Sequence, residues 1–159
     1  MLTQGNRLST SAVTVRADFL SRHKLRFNQD NNYVIVEDYD LWLRLANAGA
    51  RFTFISEPLG EYIIENDNIS LALEKTRHNE QNLLRDHVYL IQKFEPDKDK
   101  LWRQISLRLD IEEGNKLLQQ GSFVSGLRML LIAVITQPLQ ALRILAKKFQ
   151  YKLLMAHPS

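Results

Sequence analysis

The chain predicts a mixed α/β region over residues 1–70, followed by an all-helical region of about four helices over residues 71–159. Three observations carry this expectation. Short β-branched and aromatic runs flank one amphipathic helical segment in the first region. After Ser70 the apolar residues recur only at helical spacing. Glycine and proline then fall where helices should end and turn back.

Along the chain, Ser9–Val15 comes first; it alternates and is β-branched, which predicts a strand. Asp18 is placed to cap a short helix ending at Arg22, and the polar stretch 27–32 reads as a loop. Tyr33–Val36 is a short β-prone run. Asp38 then caps a predicted helix over 39–48, with Leu41, Leu45 and Ala48 on one face. Gly49 sits next, at the position where a left-handed backbone ends a helix at little cost for glycine. A second predicted strand covers 51–56, with Phe52 and Phe54 on the same side. Pro58 and Gly60 punctuate before a last short strand over 61–64. Beyond Ser70, residues 73–94 form a long amphipathic pattern with Leu84, Val88, Ile91 and Phe94 in its stripe. Glu95-Pro96-Asp97 stops it. Helices are expected over 98–120, 123–136 and from Pro138 to about Met155, separated by Gly121-Ser122 and Gln137-Pro138. The first region holds too few strands to close a sheet and cover both faces, so it reads as incomplete.

Composition bounds the function. Hydrophobic residues make up 45% of the 159 residues, enough to build a core. The absence of cysteine excludes a disulfide framework, a thiol nucleophile and a Cys-ligated zinc site together. The net charge of +3 conceals an asymmetry: no Asp or Glu occurs after Glu113, while six Lys and Arg do. A basic tail on a near-neutral body suggests an anionic surface as partner, and the helix from Pro138 places Leu142, Leu145, Phe149 and Leu153 on one face among Arg143, Lys147, Lys148 and Lys152. That pattern fits either a helix lying on a membrane leaflet or one packed on its neighbours with a solvated basic side. Nucleic acid is not expected, since no recognition motif or basic-aromatic interleaving occurs. The apolar run Met129–Ile135 is far short of the roughly 20 residues of a spanning helix, and the start of the chain does not read as a signal peptide.

The densest chemistry lies in Glu37-Asp38-Tyr39-Asp40-Leu41-Trp42-Leu43-Arg44. Three carboxylates crowd a predicted helix N-terminus, where free N–H groups and the dipole keep an acid ionised. Residue type alone leaves two roles open for Asp38, helix capping and general-base catalysis. Trp42 can stack on a sugar or pack in the core. Arg44 can meet a phosphate or an acceptor, or pair with Asp40 one turn away. Ser9, Thr10 and Ser11 can line a site or face solvent. The four histidines, His23, His78, His87 and His157, show no i, i+4 pair, and His87 beside the apolar stripe reads as a boundary residue.

The run Val36–Ala46, with Gly49, Phe52 and Ile55 after it, resembles the Glu-Asp segment of family 2 glycosyltransferases. Asn6–Val13 with Val15-Arg16 resembles the strand preceding that segment. Phe19-Leu20 and Phe27 resemble the link between them, and Glu57–Tyr62 and Asn68-Ile69-Ser70 resemble the stretch on its C-terminal side. The resemblance covers about Gly5–Ser70. It implies part of a GT-A sheet, over an acceptor-side domain of residues 1–70, with residues 71–159 as a helical C-terminal extension. It implies an inverting transfer from a nucleotide-sugar donor to a glycan or lipid-linked acceptor. Asp38 would be the catalytic base, and Glu37, Asp40, Trp42, Arg44 and Ser11 the substrate-binding candidates. The family's nucleotide-binding half, with the Asp-x-Asp motif that holds Mg²⁺ or Mn²⁺ on the diphosphate, is not represented in this stretch. No cofactor is therefore expected on this chain. Asp38-Tyr39-Asp40 has the letters of such a motif but lies in the later segment, where first-turn helix residues are the plainer reading. Many relatives place Tyr-Arg and a nearby His after the final strand; here Tyr62-Ile63-Ile64-Glu65 replaces the cation and the imidazole. That replacement supports an alternative, a non-catalytic helical module of the same ancestry that binds a membrane or partner. The expected location is cytoplasmic, peripheral on the inner membrane face, and exposed sheet edges would favour self-association.

Overall fold

The computed structural model of the protein describes residues 2–61, 73–92 and 94–146. These residues are mostly helical. Helix α1 spans Ala17–Arg22, α2 Glu37–Asn47, α3 Leu73–Asp86, α4 Lys98–Gln119 and α5 Phe123–Thr136, and residues 138–146 form a further helix, α6. No strand forms among the described residues, which overturns the expected α/β region with its partial GT-A sheet.

The reason lies in what a strand needs. A β-prone run becomes a strand only when a neighbour takes up its amides, and its preference depends on that context. Within 9–15 the chain closes a 3₁₀ turn over Thr10–Ala12, and Ala12 donates its N–H to Ser9 O at 3.0 Å. Tyr33 ends a second 3₁₀ turn, Asn31–Tyr33, whose cap Asp30 accepts from Asn32 N. Residues 51–56 take no regular structure and leave Phe54 80% exposed. The expected strand over 61–64 lies outside the described residues from Tyr62 onward, as does the expected domain boundary at Ser70.

By its packing the chain divides into two compact units, Met1–Phe94 and Glu95–Ser159. In the first, α2 supplies the core. Leu41, Trp42 and Leu45 are buried beneath Val13, Val15, Phe19, Leu20 and Leu25. The helix ends in a Schellman motif: Ala50 N donates to Leu45 O at 3.0 Å and Gly49 N to Ala46 O at 3.1 Å, with Gly49 at φ +84°. Helix α3 joins the same unit. Tyr33 Oη donates to Asp86 Oδ2 at 2.6 Å, and Asn79 Nδ2 donates to Val34 O at 2.8 Å. Leu83, Leu84 and Val88 are fully buried. After Asp86 the helix widens into a π turn over His87–Ile91, where the sequence period predicted an unbroken α-helix.

In the second unit α4 and α5 form a hairpin. A second Schellman motif closes α4, with Ser122 N donating to Leu117 O at 2.8 Å and Gly121 at φ +83°. The two helices meet at glycines: a Cβ on Gly126 would lie 2.8 Å from Gly114 O. Leu107, Ile111, Ala133 and Ala141 form the core, with Leu130 and Val134 packed against it.

Candidate functional site

Helix α2 begins earlier than the pattern of its acids predicts. Val36 is the N-cap and offers no side-chain bond, so Asp38 sits within the first turn rather than at the cap. The preceding Ile35 has φ +77°, a left-handed conformation that a β-branched residue adopts only under strain. That kink delivers Glu37, Asp38 and Asp40 together into the first turn, where the dipole favours negative charge.

The three acids then diverge. Asp38 is half-buried and held from two sides. Its Oδ1 accepts from Tyr39 N at 2.6 Å, and its Oδ2 accepts from Thr10 Oγ1 at 2.8 Å and from Asn6 Nδ2 at 3.5 Å. The 3₁₀ turn that stands in place of the predicted strand is what carries Thr10 to this carboxylate. Ser11 does not reach Asp38; it shares a hydrogen bond with Ser9 at 3.0 Å. Glu37 places its Oε2 out of solvent with no hydrogen-bond partner among the described residues.

Asp40 is fully buried. Its Oδ2 accepts from Arg44 Nε at 2.8 Å, and its Oδ1 takes the Nε2–H of His87 at 2.9 Å. Gln92 Nε2 donates to His87 Nδ1 at 2.9 Å, which leaves the ring's proton on Nε2. Burial pushes the Asp40 carboxyl up. The hydrogen bonds from His87 and Arg44, together with the guanidinium charge, more than offset this and hold it below the ordinary carboxylate value. Arg44 also donates Nη2 to Arg26 O at 2.6 Å. Burial, then the bond to Asp86, raises the Tyr33 hydroxyl above its ordinary value, so it stays a donor. Trp42 is buried in the core edge-on to Phe27, and its indole N–H has no partner among the described residues.

The structure thus brings Asp38 to Thr10 and Asn6, and Asp40 to Arg44 and His87. Asp38-Tyr39-Asp40 does not fit a divalent cation, because Asp40 turns inward to two donors while Asp38 faces the Thr10 turn. Among the described residues no group of three or more Asp, Glu or His could hold a metal ion. Sequence reasoning missed two partners. His87 was legible only as a lone polar residue beside an apolar stripe. Thr10 was legible only as one of three small hydroxyls. No family model, curated protein or solved structure matches this chain.

Proposed function

We propose that the chain supplies the acceptor side of an inverting glycosyl transfer, with Asp38 as general base. The observation that supports it is the Asp38 carboxylate itself: half-buried, in the first turn of α2, and oriented by Thr10 and the Tyr39 amide. A carboxylate so placed lacks only an acceptor hydroxyl within reach. In the step, Asp38 takes the proton of an acceptor hydroxyl. The hydroxyl oxygen bonds the anomeric carbon of a nucleotide-sugar, and the nucleoside diphosphate leaves with the electrons of the broken bond. Glu37, whose Oε2 one residue away has no hydrogen-bond partner among the described residues, would orient a saccharide hydroxyl. Asp40 and Arg44 hold the helix in place from beneath, through His87. The donor, and any Mg²⁺ or Mn²⁺ on its diphosphate, would be bound by another chain or another part of a longer protein. The acceptor class is a glycan or a lipid-linked saccharide, met at the cytoplasmic face of a membrane.

The test is saccharide binding by the purified chain, monitored by NMR, and transfer once a donor-binding portion is supplied. Saturable saccharide binding that weakens in Glu37→Gln supports the reading. Asp38→Asn should keep that binding and lower transfer about 10²- to 10⁴-fold. Saturable binding of a nucleoside diphosphate with Mn²⁺ to this chain, and of no saccharide, would overturn it. A second reading, a helical module without catalysis, is favoured by the absence of strands among the described residues. It is the reading that survives if neither ligand binds.

A further inference from the structure

Apart from Ser125, Arg128 and Thr136, helix α5 is apolar around its whole circumference, which ordinarily marks a helix buried on every side or in contact with lipid. Among the described residues only one side is covered. Gly126 and Ala133 are buried, with Leu130 and Val134 packed beside them. The other side leaves Val124 84%, Leu127 56%, Leu131 52% and Ile135 77% exposed, and α6 adds Leu139 and Leu142. Soluble monomers rarely leave so continuous an apolar face uncovered.

We propose that this face of α5 and α6 lies in the surface of an anionic lipid leaflet. Charge identifies the occupant. From Gly114 onward the chain has six basic and no acidic side chains, and Arg128 and Arg143 are exposed on α5 and α6, so a second copy set face to face would oppose like charges. An anionic leaflet would neutralise the basic charge and cover the apolar side chains at once. Arg128 is exposed on the same side of α5 as Val124 and Ile135, and its long stem can lie among them while the guanidinium reaches head groups. Length fixes the mode. Fourteen residues of helix extend only about 21 Å, short of the roughly 30 Å hydrocarbon core. No helix among the described residues is long and apolar enough to cross a membrane. The helix therefore lies in the plane of the interface, its apolar side about 5–10 Å deep. The sequence left the basic helix after Pro138 open between membrane contact and packing on its neighbours; the exposed side of α5 is the surface that the structure adds. The inference rests on the proposed placement at a membrane face and is independent of sugar transfer.

The experiment is sedimentation of the full chain with vesicles of phosphatidylcholine alone, and of phosphatidylcholine and phosphatidylglycerol in equal parts. Circular dichroism monitors the fold of each variant. The native chain should bind the mixed vesicles and release them in high salt. Ile135→Glu should weaken binding about tenfold or more with its helix content unchanged. Arg128→Glu should weaken binding to the mixed vesicles and not to phosphatidylcholine. Because Leu131 is exposed, Leu131→Trp should tolerate the replacement and report a blue shift on binding. The proposal is overturned if Ile135→Glu binds as the native chain does. It is overturned equally if the chain binds neither vesicle, or if light scattering shows a dimer that Ile135→Glu dissociates.

Discussion

Asp38 and Asp40 lie two residues apart on one helix and meet opposite environments. Asp38 accepts bonds from the Tyr39 amide, Thr10 and Asn6, and an asparagine keeps only one of its two acceptor oxygens, so Asp38→Asn should cost about 0.5–1.5 kcal/mol, as urea unfolding would show. Asp40 is different. Asp40→Ala removes the acceptor for the His87 Nε2–H, which is fully buried, and for an Arg44 that is only partly so. The cost should be about 1–3 kcal/mol, the range for leaving a buried donor unsatisfied. The carboxyl of Asp40 is also lowered in the folded state. Its stabilisation is therefore complete above the unfolded value of about 3.9 and fades as pH falls through the lower folded value. A urea midpoint measured against pH should drop below about pH 4 in the native chain, and drop less in Asp40→Asn.

At the scale of elements, two glycines carry separate constraints. Gly49 needs its left-handed backbone to close α2, and no atom lies within 4 Å of an added Cβ. Gly49→Ala should cost about 1–2 kcal/mol from conformation alone. Gly126 needs space, since an added Cβ would meet the Gly114 carbonyl and Leu118. Gly126→Ala should force α4 and α5 apart at about 1–3 kcal/mol, seen as a lower melting temperature together with broadened methyl signals from Leu130. The helices were the legible part of this fold because their signals are local. The Gly49 and Gly121 stops and the apolar stripe of residues 41–45 needed no distant partner. The expected strands failed for the opposite reason: residues 51–56 have the composition of a strand, and composition does not supply a neighbouring edge. In the candidate site, the acidic turn was legible as a cluster. The bond between Asp40 and His87, 47 residues apart, was not, because no periodicity within either helix encodes it.

At the scale of the molecule, the packing boundary between Phe94 and Glu95 makes a prediction about fragments. Residues 1–94 should unfold cooperatively in urea, whereas residues 1–70 should show no cooperative transition. The shorter fragment would lack Leu83, Leu84 and Val88, all fully buried, and with them Asp86, which bonds Tyr33, and His87, which bonds Asp40. A cooperative transition in the shorter fragment would show that α3 is dispensable.

The tie between Asp40 and His87 bears on how such an acidic segment could pass between proteins. Its eight residues, Glu37 to Arg44, are not portable by themselves. A recombination that carried them into a new host without a histidine on a neighbouring helix would leave the buried Asp40 carboxylate with Arg44 alone, and the recipient would inherit a loss of stability before any chemistry. The unit that can be exchanged is the segment together with the chain as far as Gln92, which fixes the His87 ring from its other nitrogen.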